Sequence, residues 1–364
     1  MKSAVIILEE KKALKKALLP VLDRRVIDLV VHELYEAGAH DVYVVCDKDL
    51  DIKAKVTKDL YGAIELIGLD SELIVIDDVY PFLDEGDYKK LYAHDRARIK
   101  GTKIIKIDTK ELTELKSLEL DTVEVEEDRL ADILDPKAYR RYRDDLKERI
   151  LDYHEANGVI LLDRDRTFIG PDARIEDGVI IEGDTHIYGD TLILKGTKIT
   201  SGSYIEDSEI GNDDVIISSR IIDSKVHDRN TIGPYAHLRM HTEVFNDTRI
   251  GNFVEFKNTR FDDGSRCAHL TYLGDCTVGK DVNIGCGVVT VNYDGKHKNH
   301  TYIADHAFIG SNANLVAPIT IGEYALVAAG STVTKDVPDK DMAIARPFET
   351  YKKGYGYTYI KKEK

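Results

Sequence analysis

The sequence predicts two dissimilar domains, an α/β domain followed by an all-β domain wound as a parallel β-helix. Three observations lead there. A chain of 364 residues exceeds what one core comfortably holds. Strand and helix patterns alternate over residues 1–125. After Gly158 an apolar residue returns at every sixth position.

In the first part, Ser3–Leu8 is a short β-branched run that reads as a strand. Arg25–Gly38 places Val26, Ile27, Leu29, Val30, Val31, Leu34 and Ala37 at helical spacing, with Gly38 as the stop. His40–Cys46 reads as a second strand and Leu73–Ile76 as a third. Tyr88–Lys100 reads as a helix running into a fourth strand at Thr102–Ile107. That βαβ order implies a mainly parallel sheet with helices on its faces. Residues 126–157 form a charged bridge; Pro136 opens a helix that Asn157-Gly158 closes, and its composition suits a solvated linker.

From residue 158 to 337 the period is six. The series runs through Ile169, Ile175, Ile181, Ile187, Ile193, Ile199 and Ile205, then Ile210, Ile216 and Ile222. It continues through Val226, Ile232, Leu238, Val244, Ile250 and Phe256, and closes with Ile303, Ile309, Leu315, Ile321, Val327 and Val333. Neither a helix nor an amphipathic strand has this period. A three-sided coil does, with one aliphatic residue per flat face turned inward. At a coil spacing of about 4.8 Å, nine or ten turns make a prism roughly 45 Å long. The repeat is broken by Val291–His300, whose polar, basic and aromatic residues cannot continue the stacked core and must protrude. Residues 338–364 follow as a C-terminal arm, its end basic and Tyr-rich.

Composition narrows the function. With 43% hydrophobic and 32% charged residues the chain is globular, and a net charge of −15 argues against a nucleic-acid or anionic-membrane surface. No apolar window is long enough to span a membrane. The first residues lack a signal-peptide pattern. The four cysteines, at 46, 267, 276 and 286, form no Cys-x-x-Cys pair, which suits a reducing cytoplasm. No metal-ligand spacing is present, and none is expected to be needed.

Residues 250–346 contain IGNFVEFKNT, AHLTYLGD, VGKDVNIGCGVVTVNYDGKHK, FIGSNANLVAP, VAAGSTVTKDVP and AIAR. With these motifs the chain resembles the acetyltransferase half of the bifunctional N-acetylglucosamine-1-phosphate uridyltransferase/glucosamine-1-phosphate acetyltransferase family. The resemblance covers residues 157–350 and implies a left-handed β-helix, a homotrimer with sites between subunits, and acetyl transfer from acetyl-CoA to the amine of glucosamine 1-phosphate. It assigns His269 as the general base. An ammonium must lose a proton before it can attack a thioester, and imidazole titrates in the range to accept it. It makes Arg239, Lys257 and Lys298 the sugar-phosphate ligands, which suits a dianion. Tyr272 and Asn283 would touch the sugar, and Asn292 would orient the amine or His269 in the reacting centre. Cys286, Tyr293, Ser311, Ala329 and Arg346 would line the acetyl-CoA site. Position 286 is Ala in the family pattern; a backbone N–H toward the thioester oxygen is the feature it implies, and Cys supplies that equally.

The first part resembles the family's uridyltransferase domain, a Rossmann-like nucleotidyltransferase fold, in shortened form. Where the family has a Gly-rich, Arg-bearing phosphate loop, this chain reads Glu9-Glu10-Lys11-Lys12-Ala13-Leu14, and Val21 replaces the Lys after Pro20. Asp77 or Asp78 stands where the family has a metal-binding Asp. The sequence therefore predicts that nucleotidyl transfer is lost. Acetylation of another amino-sugar phosphate, such as galactosamine 1-phosphate, or a non-catalytic trimeric scaffold are the competing readings.

Overall fold

The computed structural model describes residues 1–68, 71–112 and 118–360. The final residues of the expected arm, 361–364, lie outside them. The chain packs as two units, Met1–Ile150 and a second from Leu151 onward.

The first unit carries β1 (Lys2–Ile7), α1 (Lys11–Ala17), the two-residue strands β2 (Pro20–Val21) and β3 (Arg24–Arg25), α2 (Val26–Glu36), β4 (Asp41–Val45) and β5 (Lys55–Thr57). It continues with α3 (Leu60–Ile67), β6 (Glu72–Asp77), α4 (Glu85–Tyr92), β7 (Ala97–Ile99), β8 (Ile104–Asp108) and β9 (Asp121–Val123). The main sheet has the order β5-β4-β1-β6-β8-β7-β9. Alternation along β1 supplies both faces: Ala4 and Ile6 pack with Ile27, Val30 and Leu34 of α2, while Val5 packs with Tyr43, Ala63 and Leu73 on the other side.

Two expectations need correction here. The helix expected over Tyr88–Lys100 ends at Tyr92, and Ala97–Ile99 is a strand, because buried Ala97 and Ile99 flank exposed Arg98 with the period of two that a pleated strand imposes. The sheet is mainly parallel, as expected, with β8 antiparallel to both β6 and β7. The helix α5 (Pro136–Ala156) is no solvated linker: Tyr142, Leu146 and Leu151 are buried along one side of it.

The second unit is the parallel β-helix that the hexads predict, left-handed as the family resemblance implies. Its strands form an 11-stranded sheet and a 17-stranded sheet, parallel wherever they pair. Along the smaller sheet the inward residue of each coil sits on that of the next: Ile181 on Ile199, then Ile216, Ile232, Ile250, Cys267, Ile284, Ile309 and Val327. Each is essentially withdrawn from solvent, and burying such a side chain contributes about 1.5–3 kcal/mol. One hexad position is corrected: Ile221, not Ile222, points inward, in register between Ile205 and Leu238. The corners before and after that strand are one residue short, so the chain steps by five from Ile216 to Ile221 and again to Val226.

Buried polar residues accompany this apolar interior, Asp214 among them. Asp214 is fully buried; its Oδ1 accepts the Asn230 N–H at 2.6 Å, and its own N–H donates to Thr197 Oγ1 at 3.0 Å. Its Oδ2 has no partner among the described residues. Burial pushes this carboxyl up to about 7. A raised carboxylate pKa means that the folded state holds the proton more tightly than the unfolded chain. The stability so conferred is full below the ordinary carboxylate range and is lost as pH rises through about 7. Asp214→Asn, isosteric and uncharged, should therefore raise the melting temperature above neutral pH more than it does in mildly acidic buffer. Melting curves of both chains across pH check this, and an equal shift at every pH would contradict it.

Candidate active site

The β-helix presents the residues singled out in the sequence as two groups. The first is a column at one corner of the prism. The N–H of Gly287 donates to the carbonyl of His269 at 3.4 Å, that of Asn312 to Cys286 at 2.7 Å, and that of Gly330 to Ser311 at 2.8 Å. His269, Cys286, Ser311 and Ala329 therefore occupy the same position in four successive coils, a run of roughly 14 Å at strand spacing. Arg346 closes it, its Nη1 donating to the Ala329 carbonyl at 2.8 Å. The backbones approach closely because Gly285 and Gly310 precede the corners. A Cβ at Gly285 would lie 2.6 Å from the Ser311 nitrogen, and one at Gly310 would lie 2.5 Å from that of Ala329. His269 is exposed, and Thr271 Oγ1 holds its carbonyl at 2.7 Å. Its ring has no hydrogen-bond partner among the described residues.

The second group lies on the 17-stranded sheet. Arg239, Lys257 and Gly274 are in register on three neighbouring strands, Ala236–Arg239, Val254–Phe261 and Thr271–Val278. Arg239 binds Glu255 Oε1 through Nε at 2.8 Å and Nη2 at 2.6 Å. Lys257 is almost fully buried and reaches Asp275 Oδ2 at 3.4 Å. Asn292 Nδ2 donates to that same oxygen at 2.6 Å, while Asn258 Nδ2 donates to Asp275 Oδ1 at 2.7 Å. Tyr272 and Asn292 fill the space above Gly274, where a Cβ would come within 2.3 Å of the phenol oxygen and 2.8 Å of the Asn292 amide nitrogen.

Lys298 joins this group from the protruding segment, which folds as a hairpin. Tyr293 and Lys298 form an antiparallel bridge, and Asn299 N–H donates to the Asn292 carbonyl at 2.7 Å. Asp294 closes the turn by accepting the N–H groups of Lys296 and His297 at 2.8 and 2.7 Å. The amines of Lys257 and Lys298 act on one another: their interaction, opposed by burial and helped by Asp275, raises Lys257 above the usual lysine range and pushes Lys298 below it. Burial alone would raise the Asp275 carboxyl; bonds from Asn258 and Asn292 and the charge of Lys257 outweigh it and hold it low. Two adjacent amines that cannot both carry a full charge at low cost form a seat for an anion.

Two residues fall outside these groups. Asn283 is exposed on the 11-stranded sheet, paired with Arg266 and Phe308. Tyr293 is exposed, its hydroxyl donating to the Gly295 carbonyl within its own hairpin at 2.8 Å. The sequence reading missed Asp275 and Asn258, although Asp275 ends AHLTYLGD and Asn258 follows Lys257; a buried acid opposite a conspicuous lysine was the available signal.

In the first unit, the strand order reverses beside β1, and the crevice beyond the carboxyl ends of β1 and β6 is where such sheets take ligands. Here that crevice is filled with ion pairs from the chain itself. Lys16, buried, binds Asp78 at 2.7 Å; Lys12 binds Asp132 at 2.6 Å; Lys103 reaches both Glu10 and Asp77 at 3.3 Å. Val21 is buried in the core.

This geometry is that of a hexapeptide-repeat β-helix. Residues 300–335 match the bacterial transferase hexapeptide (six repeats) family. Over 58% of its length the chain is similar to the bifunctional protein GlmU: 46% identical over 216 residues to that of Clostridioides difficile and 50% over 211 residues to that of Caldicellulosiruptor saccharolyticus. Each match covers 46% of the relative, so the chain spans about half the length of the curated relatives it matches. A solved structure of LpxA from Acinetobacter baumannii aligns with 52% of this chain and 72% of its own at 18% identity, with a TM-score of 0.37.

The crowding above Gly274 makes a prediction. Gly274→Ala should displace the Tyr272 hydroxyl and the Asn292 amide while leaving the coil intact, because the phenol tip yields more readily than backbone. Unchanged circular dichroism together with weaker phosphate binding in calorimetry is the expected result; wild-type affinity would contradict it.

Proposed function

We propose that this protein transfers the acetyl group of acetyl-CoA to the amine of glucosamine 1-phosphate, giving N-acetylglucosamine 1-phosphate, and that nucleotidyl transfer by the first unit has been lost. The observation that carries the first part is the convergence, within one β-helical unit, of the His269 column and the cationic group of Arg239, Lys257 and Lys298. The two are neighbours along the chain, since Tyr272, on the strand that follows the His269 corner, is three residues on, at most about 11 Å away.

In this reading Lys257, Lys298 and Arg239 hold the sugar phosphate, and Tyr272 lies against the ring. Asn283, on another face, contributes from a neighbouring subunit. His269 removes a proton from the substrate ammonium, freeing the nitrogen lone pair to attack the thioester carbonyl carbon. Asn292 orients that amine. The backbone N–H at Cys286 stabilises the oxyanion of the tetrahedral intermediate. As this collapses the C–S bond breaks and the attacking nitrogen gives up its second proton; the imidazolium of His269 returns one proton to the departing thiolate, and the other leaves to solvent. The small side chains at Cys286, Ser311 and Ala329 leave a track along the corner that suits a pantetheine arm, and Arg346 at its end suits the cofactor's phosphates. Tyr293 completes the pocket from the hairpin.

The working assembly is a homotrimer. Tyr235, Phe253 and Leu270 stack at successive corners beside His269, 59%, 55% and 61% exposed, and neighbouring prisms would cover this strip. For the first unit, the support is the paired crevice: its carboxylates already hold lysines, and Glu9 and Glu10 stand exposed where a triphosphate would need donors.

Thiol release from acetyl-CoA in the presence of glucosamine 1-phosphate tests the reading. Turnover by the wild-type chain and a loss of about 100- to 10,000-fold in His269→Ala are expected; an inactive wild-type chain would refute it. With UTP, magnesium and N-acetylglucosamine 1-phosphate, no pyrophosphate should appear, and its release would overturn the proposed loss.

A further inference from the structure

Asp275 is the one carboxylate to which three members of the second group are tied, and no role in the reaction has yet been given to it. It is 8% exposed and sits on the coil after Lys257. An ionised carboxylate can only accept hydrogen bonds. Asn258 and Asn292 must therefore both turn their NH2 groups toward it, as the 2.7 and 2.6 Å contacts show. For Asn292 this leaves one orientation of the amide, with Oδ1 on the side away from Asp275. That oxygen is the atom able to accept a hydrogen bond from a substrate ammonium or amine.

The same carboxylate stands 3.4 Å from the Lys257 ammonium. Two neighbouring lysine amines repel when both are charged, and a fixed negative charge beside one of them offsets that repulsion. The other groups bearing on the cluster are Arg239, already bound to Glu255; His300, held by Thr277 Oγ1 at 2.9 Å and kept neutral-leaning by burial; and the Tyr272 phenol. Among these groups Asp275 is the only acid in contact with Lys257.

We propose that Asp275 is a positioning residue of the acetyl-transfer site: it fixes the Asn292 amide with its oxygen outward and holds Lys257 and Lys298 together as a charged seat for the substrate phosphate. The assignment rests on the function proposed above. It also makes a physical distinction between two effects that one residue combines, since the orientation of Asn292 needs only an acceptor, whereas the lysine pair needs the charge.

Two substitutions separate them. Asp275 has a φ of 49°, a conformation that Asn adopts readily. Asp275→Asn keeps an acceptor oxygen for Asn292 and removes the charge; Asp275→Ala removes both. Inorganic phosphate and glucosamine 1-phosphate are titrated into the full chain by calorimetry from neutral to alkaline pH, and acetyl transfer is followed in parallel. In Asp275→Asn, one lysine proton should leave at lower pH. Phosphate affinity then falls about 10-fold, equivalent to one pK unit, at a pH where the wild-type chain still binds, and by less at lower pH. Asp275→Ala should in addition lower kcat, by up to about 100-fold. Phosphate binding by both variants with the wild-type pH profile, absence of phosphate binding by the wild-type chain, or kinetic losses that merely track the fraction of folded protein would each overturn the assignment. A wild-type chain that binds phosphate in this way but does not acetylate glucosamine 1-phosphate would refute the proposed reaction and leave the hold of Asp275 on the lysine pair standing.

Discussion

The stacking of one inward aliphatic side chain on the next, coil after coil, is the constraint from which the β-helical site follows. The column from Ile181 to Val327 excludes water along the prism axis and fixes the register of every coil above and below it. Because side chains alternate in and out along each short strand, fixing the inward residue also fixes the outward one. A rigid array of outward positions, one strand spacing apart, is thereby available without any loop having to hold its shape. His269, Cys286, Ser311 and Ala329 occupy one such row, and Arg239 and Lys257 another.

Where the rows carry charge, the molecule balances it locally. Arg239 is held by Glu255 and Lys257 by Asp275, and Lys298 arrives on a hairpin that Asp294 pins at its turn. The resulting centre is polar and almost closed at its base, with Lys257, Asp275 and Asn292 all buried, and open at the Lys298 side. In such surroundings each hydrogen bond is worth more than in water, and an unmet one costs correspondingly more. That is why an acid, two amides and two amines interlock there rather than act independently. The interruption of the repeat at residues 291–300 is what makes this possible, since a regular coil would have no means of bringing Lys298 back over Lys257.

The first unit shows the opposite use of similar groups. Its crevice at the carboxyl ends of β1 and β6 has carboxylates and lysines in quantity, yet Lys16, Lys12 and Lys103 are each engaged by Asp78, Asp132, Asp77 or Glu10. Cations so engaged offer little to an incoming triphosphate. Buried Val21 contributes to the core instead. The βαβ framework survives because it depends on apolar alternation in β1, β4 and β6, which tolerates any change at the strand ends.

Periodicity in the chain was enough to determine the β-helix and most of its inward residues, because a six-residue face leaves the same mark in every coil. It was enough, too, for the position of the interruption. It failed at Ile222, where two corners each one residue short moved the inward place to Ile221, and at Ala97–Ile99, where three residues are too few to declare a strand beside a helix. The motifs around residues 250–346 singled out His269, Arg239, Lys257, Lys298 and Asn292, but not what joins them. Asp275 and Asn258 became visible only when strands eighteen residues apart in sequence were laid side by side, since a carboxylate's role is set by the donors around it. The same holds for α5, whose composition reads as solvated while Tyr142, Leu146 and Leu151 are buried. Residue type and spacing thus determined the architecture and the chemical groups present; which charges meet, and which amide faces outward, was decided by contacts between distant coils.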